Sequence, residues 1–364
     1  MSITRKQVLY LRTHAQQLSR ESGQPADTAV LDSGVQDTGP DGGLWALAIR
    51  GVDVSTMAGD ELVTAWTIRG APHLYRRADL PEVATAVWPF SEADAGKRIY
   101  DAAKPLREAG IENLAALDAI ATAMRSIVTE PMVKGEVSTR LTPLMDEPYR
   151  RFCRPCNAVH LYEMPFRLAA LRAGLELQAG TSPPVLQPIP DFAPAAEAPD
   201  RFDVVRGYLR LLGPATPKQV AEYLDAPVKD VKARWPDDAL EVSVGGEPRW
   251  VLAEDEDALD ADPPEVTRLL GPYDLFLQAR DRQLLVAEPA RAKELWPVLG
   301  RPGAVLVRGE IAGTWRPRKA GKKLKVLVDP WVEPSDDVRK TITDQAERLA
   351  TFRKVPLSGV DFGG

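Results

Sequence analysis

Cysteine and histidine are scarce in this chain, which has two cysteines and three histidines among 364 residues. Two cysteines cannot form the disulfide framework of a small secreted domain. No apolar run approaches the roughly 20 residues that a membrane-spanning helix needs. The first residues, MSITRKQVLYLRTH, lack the apolar core and cleavage site of a signal peptide. We therefore expect a cytoplasmic protein that has no membrane partner.

Positive charge is in deficit over the whole chain, whose formal net charge is −6. This balance counts against a general affinity for nucleic acid, but the charge is unevenly distributed. Residues 315–325 (WRPRKAGKKLK) carry six cations and no acid. Strand-like runs on both sides favour a hairpin that enters a DNA groove, and the alternative is a charged turn that is simply solvated. The residues that we expect to contact DNA here are Arg316, Arg318, Lys319, Lys322 and Lys323.

The clearest folding pattern runs from residue 202 to residue 252. Apolar residues recur at helical spacing up to Gly213-Pro214, and a capping box between Thr216 and Gln219 predicts a second helix. The run VKDVKARW predicts a third helix, and two alternating strands follow about the pair Gly245-Gly246. A helix, a helix-turn-helix and a hairpin in this order predict a winged-helix module.

Two upstream segments repeat this order. In the first, a capping box at Thr4 and Gln7 opens a helix, short helices follow, and TAWTIRGAPHLYR predicts a hairpin. In the second, an apolar stripe on one helical face, formed by Leu114, Leu117, Ile120, Met124 and Ile127, predicts a helix, and VKGEVSTRLTPLM predicts another. A third helix, PCNAVHLYEMPFRLAALRAG, is predicted to end at Gly174, and the strands LELQAG and PPVLQ follow. We predict winged-helix modules at residues 1–95, 96–192 and 200–262.

The pattern changes after the acidic residues 254–262 (EDEDALDAD). LLGPYDLFLQ, QLLVAE, GAVLVRGEIAGTWRP and KKLKVLVDPW are short strand-like runs, and VRKTITDQAERLATF predicts a closing helix. Residues 263–364 are therefore predicted to form a β-rich C-terminal extension. The fold class that we predict is mainly α with β wings, an α+β protein of three tandem winged-helix modules and this extension.

Cys153 and Cys156 have the spacing of zinc ligands, and His160 follows four residues later. A structural zinc site needs four ligands, and the chain has no second cysteine pair. A thioredoxin-like role lacks support because no βαβ pattern surrounds the two cysteines. The sequence therefore predicts no metal and no cofactor.

Three stretches resemble the AlkZ/YcaQ-type DNA glycosylases. The first, GVQDTGPDGGLWALAIR, is similar to the family pattern of Gly-x-Gln, then Gln or Asp two residues later, then a helix that ends in Arg. The second, AWTIRGAPHLY, is close to the pattern Trp-x-x-Arg-Gly-Thr-x-His, with Ala71 in place of Thr. The third, RLLGPYDLFLQARDR followed by VLVRGEIAGTWRPR, is like the family's C-terminal β-rich part.

This resemblance implies three winged helices around a central channel and a DNA repair enzyme. The implied reaction is excision of N7-alkylated guanine from double-stranded DNA, and some members also act on bulky adducts and interstrand crosslinks. We expect a monofunctional, monomeric and nucleoid-associated glycosylase. The alternative is a winged-helix DNA-binding protein without catalysis, a regulator or a degenerate paralogue, because Thr38 stands where the family has Gln or Asp.

By position, the catalytic residues would be Gln36 and Thr38, with Asp37 between them. An N7-alkylguanine leaves as a neutral base through an oxocarbenium-like transition state, so the protein must hold a water and stabilise positive charge. A Gln amide suits this water because it both accepts and donates hydrogen bonds. In extended backbone, which Gly34 and Gly39-Pro40 favour, Gln36 and Thr38 share a face, whereas in a helix Asp37 points nearer the DNA.

The second catalytic role therefore has two candidates. Either Thr38 positions the water with its hydroxyl, or Asp37 supplies the negative charge. In a third interpretation these residues are not catalytic, and residues 35–39 form an ordinary polar turn before the next helix.

Arg69 and His73 lie in or beside the first predicted hairpin. Arg69 is a candidate for a phosphate contact, and His73 for a phosphate or base contact. The alternative for both is structural: a turn arginine and a histidine whose ring is bonded to the backbone.

Overall fold

The computed structural model describes residues 1–39 and 41–363 and has a mixed α/β fold. Its helices begin where the sequence has caps, as at α1, where Thr4 and Gln7 form the predicted capping box. The α-helices are α1 (Arg5–Ala15), α2 (Val30–Ser33), α3 (Gly42–Ala48), α4 (Leu80–Ala86), α5 (Glu92–Arg98), α6 (Ala103–Glu108), α7 (Asn113–Ile127), α8 (Lys134–Leu141), α9 (Glu163–Arg172), α10 (Val204–Leu212), α11 (Pro217–Leu224), α12 (Val228–Ala233), α13 (Arg282–Leu285), α14 (Pro289–Leu295) and α15 (Asp336–Phe352).

The strands are short, and most pair as hairpins with their neighbours along the chain. They are β1 (Ser2–Ile3), β2 (Val35–Gln36), β3 (Leu62–Trp66), β4 (Pro72–Arg76), β5 (Met132–Val133), β6 (Arg150–Cys153), β7 (Ala158–Leu161), β8 (Leu175–Leu177), β9 (Val185–Pro188), β10 (Ala239–Val244), β11 (Glu247–Leu252), β12 (Thr267–Leu270), β13 (Gly303–Val307), β14 (Glu310–Ala320), β15 (Lys323–Pro330) and β16 (Leu357–Phe362).

The chain divides into two compact units. The first unit comprises Met1–Met57, Gly207–Gln219 and the chain from Pro236 onwards. It holds a sheet of order β1-β10-β11 and a five-stranded sheet of order β12-β13-β14-β15-β16, antiparallel except that β15 and β16 are parallel. Helix α15 packs on β12, and Trp45 of α3 is buried with its ring 5.4 Å from that of Phe352.

The second unit comprises Ala58–Arg206 and Val220–Trp235. Its strands pair in the order β4-β3-β8-β9-β5, and β6 with β7 forms a separate two-stranded hairpin. Helices α7 and α9 pack together over a core that includes Trp66, Ile120, Met124 and Phe166. The apolar stripe predicted in α7 is thus the side that is buried.

Several predicted elements are confirmed. The hairpins β3–β4, β8–β9 and β10–β11 are present, and Gly245 and Gly246 at the last turn have positive φ. The capping box of α11 is formed by Thr216 and Gln219. The predicted strands of residues 303–330 and the closing helix α15 are also present.

The helix predicted over PCNAVHLYEMPFRLAALRAG is wrong in its first half. Residues up to Leu161 form the hairpin β6–β7, and α9 begins only at Glu163. Pro165 explains the boundary, because proline is tolerated in the first turn of a helix and not in its interior. A proline inside an apparent helix was the available signal for this start.

Two strand predictions in the C-terminal part are also wrong. In LLGPYDLFLQ only the first residues belong to β12, and Leu275–Gln278 is a 3-10 turn. QLLVAE contains the short helix α13, in which the consecutive residues Leu284 and Leu285 are both buried. A strand would send consecutive side chains to opposite faces, so this apolar pair fits a helical turn better. Strand β16 was not predicted.

Candidate active site and DNA-contact surface

The loop between α2 and α3 carries the predicted catalytic residues. Gly34 and Gly39 have φ values of 82° and 94°, a region that favours glycine, and β2 between them is extended; Pro40 lies outside the described residues. Gln36 Nε2 donates to Thr38 Oγ1 over 3.1 Å, so these two side chains lie on the same side of the loop. The extended alternative is therefore the one that the structure has.

Asp37 is turned toward the beginning of α3. Its Oδ1 accepts a hydrogen bond from the backbone N–H of Gly43 over 2.8 Å. A Cβ atom on Gly42 would lie 1.9 Å from the same oxygen, so the close approach of the carboxylate requires glycine there. An acidic group at this end of a helix stabilises it, and Asp37 thus has a structural role whatever else it does.

Buried contacts hold the loop and α3 in position. Asp41 is paired with Arg353, which follows α15, with Nε 2.6 Å from Oδ1. Trp45 Nε1 donates to the carbonyl oxygen of Leu269 over 2.8 Å. Arg50, just after α3, makes a bidentate ion pair of 2.8 and 2.9 Å with Asp274, and both side chains are almost fully buried.

Gln36 and Thr38 line a small depression with Asp41, Trp45 and residues 271–274. Its volume of about 30 Å³ matches one or a few water molecules and is too small for a purine. Both side chains are half-buried, so they face this depression without being closed off from solvent. The geometry can hold a water beside an amide and a hydroxyl.

The predicted contact residues of the second unit are engaged within the protein. Arg69 has a positive φ of 56°, its Nη1 donates to the carbonyl oxygen of Tyr223 over 2.5 Å, and its guanidinium lies over the Tyr223 ring. His73 is buried, and its Nδ1 lies 2.9 Å from the carbonyl oxygen of Ala71 and 3.1 Å from Thr67 Oγ1. Burial, and next the charge of Arg69, lower the pKa of His73 to about 3. His73 therefore stays neutral near pH 7. Its ring is hydrogen-bonded to the backbone, as the structural alternative for this residue predicts.

The basic segment forms the outer end of the hairpin β14–β15. Arg316, Arg318 and Lys319 are exposed on β14, and Lys322 and Lys323 are exposed at and after the turn at Gly321. These five side chains have no ion-pair partner within residues 1–39 and 41–363. The hairpin is anchored at its base, where Trp315 is buried and donates from Nε1 to the carbonyl oxygen of Leu270 over 2.8 Å.

The register of the hairpin sorts these cations by face. Residues paired across the two strands have their side chains on the same face of the hairpin. Arg318 is paired with Lys325, and Arg316 and Lys323 lie on the same face as this pair. Like charges directly opposite each other are destabilising, although Asp361 pairs with Lys325 over 2.6 Å. Lys319 lies on the other face, opposite the buried Leu324. One face of the hairpin is thus a compact patch of positive charge.

Sequence reasoning missed the residues that support the candidate active site. Arg50 was noted only as the end of a motif, and Asp274, Asp41 and Arg353 were not singled out. The signal for Arg50 was an arginine at the end of an apolar helix, where a buried cation needs a carboxylate partner. The sequence offers no means of choosing that partner.

The chain belongs to the AlkZ-like DNA glycosylase family, because the family model described as "DNA glycosylase AlkZ-like" matches residues 33–352. Among solved structures, it is similar to Streptomyces sahachiroi DNA glycosylase AlkZ, with a TM-score of 0.73, 20% identity and coverage of 100% of both chains. No curated protein matches the chain by sequence. Membership of a DNA glycosylase family implies a DNA repair glycosylase that binds DNA.

Within residues 1–39 and 41–363, no helix is both long and apolar enough to cross a membrane.

Proposed function

We propose that this protein is a monofunctional glycosylase that hydrolyses the N-glycosidic bond of N7-alkylated guanine in duplex DNA. The observation that carries the proposal is the Gln36–Thr38 pair, joined by a hydrogen bond of 3.1 Å at a water-sized depression. A water held there would attack the sugar carbon as the bond to the base breaks; the cationic base would take the bonding electrons and leave neutral, and the proton of the attacking water would pass to solvent.

The roles of the three loop residues follow from their contacts. Gln36 orients the water, because its amide oxygen accepts from the water while its amide nitrogen donates to Thr38. Thr38 restricts the rotation of the Gln36 amide and offers its own hydroxyl to the water. Asp37 contributes negative charge from the other side of the loop, where the Gly43 amide holds it.

A monofunctional reaction is supported by the lining of the depression. Among the described residues, those that line it include no lysine, whereas a glycosylase that also cleaves the strand needs an amine nucleophile to form a Schiff base. The depression is also too small to enclose a purine. The damaged base would then stay outside it, which fits tolerance of bulky adducts and interstrand crosslinks.

DNA binding is proposed to use the exposed cations Arg316, Arg318, Lys319, Lys322 and Lys323, with Arg69 and His73 as weaker candidates because their side chains are already bonded within the protein. We further propose winged-helix modules at residues 1–95, 96–192 and 200–262 around a channel, and a β-rich part at 263–364. The recurring order of helices followed by hairpins β3–β4, β8–β9 and β10–β11 supports these modules. The protein is proposed to act as a monomer.

The test is an excision assay on duplex DNA that contains a single N7-methylguanine, followed by alkaline cleavage of abasic sites. We expect strand breaks at the lesion only after alkali, because a monofunctional enzyme leaves the backbone intact. Breaks without alkali would contradict the monofunctional assignment. Parallel duplexes with a bulky N7 adduct and an interstrand crosslink define the substrate range.

A second function has one observation in its favour. Thr38 stands where the family pattern has Gln or Asp, so a DNA-binding protein without catalysis is the competing proposal. Salt-dependent DNA binding with no excision from any of these three duplexes would favour it.

A further inference from the structure

The hairpin β6–β7 brings together three side chains that the proposed glycosylase reaction does not use. Ligand atoms of Cys153, Cys156 and His160 all lie within 4.8 Å of one another, and both cysteines are free thiols. These are also the only two cysteines of the chain, and His160 is one of its three histidines.

The geometry of the hairpin explains why these residues meet. Cys153 is opposite Ala158, and His160 lies two residues beyond Ala158, so Cys153 and His160 are on the same face. Cys156 lies in the turn, and Asn157 after it has a positive φ of 46°, which reverses the chain. Three protein ligands are too few for a closed structural zinc site but match an open site that keeps a water at the fourth position.

A backbone hydrogen bond orients His160 as a ligand. His160 Nδ1 lies 2.7 Å from the carbonyl oxygen of Leu161, and since a carbonyl only accepts, Nδ1 carries the proton and Nε2 has the free lone pair. Metal-bound histidines commonly donate their other ring N–H in this way. Cysteine binds metal as the thiolate, and the metal displaces the thiol proton as it binds.

We propose that Cys153, Cys156 and His160 form a Zn²⁺ site with three protein ligands and a water at the fourth position. In a tetrahedral zinc site the ligand atoms lie roughly 3.5–3.8 Å apart, as follows from the usual Zn–S and Zn–N lengths. Atoms that are within 4.8 Å of one another need to move by only about 1 Å to reach this. Two thiolates and an imidazole select zinc over harder cations such as Mg²⁺ and Ca²⁺.

The fourth position has space around it. The three residues line a cleft of about 710 Å³ together with Lys134, Glu163 and others. Glu163 is already paired with Lys134 and Arg167, both at 2.6 Å, so it is not an available fourth ligand. A water or a small anion beside Lys134 would complete the coordination.

A metal here would stabilise a weak element. The β6–β7 hairpin pairs with no other strand of the described residues, and most of its side chains are at least partly exposed. An isolated two-stranded hairpin is marginally stable in water. Zinc that joins β6, the turn and β7 would hold the two strands together, because binding free energy becomes folding free energy.

Metal loading of the reduced, full-length protein without a histidine tag tests the proposal. We expect one Zn²⁺ per chain, and on Co²⁺ substitution a thiolate-to-cobalt charge-transfer band that belongs to this site because the chain has no other cysteines. Cys153→Ser, Cys156→Ser and His160→Ala should each weaken metal binding by roughly 100-fold or more, at least the loss seen when supporting residues are removed. His14→Ala is the matched control, and should bind as the wild type does.

Hydrogen exchange provides a second measurement that does not depend on the variants. Zn²⁺ should slow exchange of the backbone amides in residues 150–161 and leave β10–β11 unchanged. Reduced wild-type protein that binds no Co²⁺, cysteine variants that keep the charge-transfer band, or metal binding without slower exchange in this hairpin would overturn the proposal. None of these readouts depends on excision activity, so failure here is distinguishable from failure of the proposed function.

Discussion

The loop that carries Gln36 and the hairpin β14–β15 both belong to the first unit, but their side chains are held in opposite ways. Gln36 and Thr38 are uncharged, and the loop is supported by the half-buried Asp41–Arg353 pair and, through α3, by the buried Arg50–Asp274 pair. The outer end of the hairpin carries five exposed cations, and its supports lie behind them, in the pairing of β15 with β16 and in the buried Trp315 at the base.

The difference follows from what each region is proposed to do. Positioning a water requires a fixed amide, and fixed polar groups contribute most to a reaction when they need no reorganisation. Phosphate contacts require charge at the surface, because binding to the DNA backbone is electrostatic and independent of base sequence. Substitutions in the two regions and at His73 should test this contrast, and we take them from the largest expected effect to the smallest.

The largest effect is expected at the buried pair of Arg50 and Asp274. Asp274→Leu should lower the free energy of unfolding by roughly 3–5 kcal/mol, since it leaves the Arg50 charge buried without a partner. Urea unfolding measures this. The double variant Arg50→Met/Asp274→Leu should recover much of the loss. The control is Arg140→Ala in the exposed Glu136–Arg140 pair, which should cost less than about 1 kcal/mol. If Asp274→Leu and Arg140→Ala lowered the free energy of unfolding equally, the buried pair would support the loop no more than an exposed pair does.

Gln36→Ala comes next. We expect excision of N7-methylguanine to fall on the order of 10²-fold, about the loss caused by removing one preorganised polar group elsewhere, with DNA affinity unchanged. Single-turnover excision and fluorescence anisotropy measure the two quantities. Gln178→Ala, at an exposed glutamine of the second unit, is the control. Wild-type excision by Gln36→Ala would show that Gln36 does not act in the reaction.

His73 tests whether a predicted contact residue behaves as a buried one. Its pKa in the folded protein is about 3, against roughly 6.5 when unfolded. The unfolded chain therefore takes up a proton as the pH falls below about 6.5, and the folded chain does not. The free energy of unfolding consequently decreases as the pH is lowered. From pH 7 to pH 5 this group should account for about 2 kcal/mol. His73→Gln should lose that part of the pH dependence. A variant with the wild-type pH dependence but a reduced salt slope of DNA binding would make His73 an exposed contact instead.

The hairpin prediction concerns affinity and its dependence on salt. Replacing Arg316, Arg318 and Lys323 with Gln should reduce the slope of log K against log salt by up to about 3, near one unit for each lost phosphate contact. The control removes the same charge from Lys104, Lys293 and Lys340, which are exposed elsewhere. Because Lys319 lies on the other face, Lys319→Gln should change the slope less than Arg318→Gln does. If the hairpin triple variant keeps the wild-type slope, the hairpin does not bind phosphates.

The smallest effects should separate Thr38 from Asp37. Thr38→Ala removes the oxygen that accepts from Gln36 and should slow excision by up to about tenfold, the value of one neutral hydrogen bond. Thr38→Ser should restore the rate. Asp37→Asn can keep the bond from the Gly43 amide but loses the charge. A loss in Asp37→Asn larger than in Thr38→Ala would assign electrostatic stabilisation of the sugar to Asp37 and reduce Thr38 to a minor role.

Local signals in the sequence were sufficient for many elements of the fold. The capping boxes of α1 and α11, the apolar stripe of α7 and the turn at Gly245-Gly246 were all predicted, because each depends on residues within one or two turns of the chain. The extended conformation at Gln36 was one of two alternatives and rested on its flanking glycines. The predicted element was wrong in two places, where the prediction did not take into account Pro165 or the apolar pair Leu284 and Leu285.

The supports of the candidate active site were decided by tertiary structure. Arg50 and Asp274 are 224 residues apart in the chain, and Asp41 and Arg353 are 312 apart. No periodicity or spacing relates such residues, because which carboxylate meets which guanidinium depends on how whole elements pack. The same holds for the burial of His73, and for Cys153, Cys156 and His160, which a hairpin brings within reach of one ion. The sequence by itself determined which chemical groups the protein has and most of its local conformation; packing decided which of those groups are fixed, neutral or exposed.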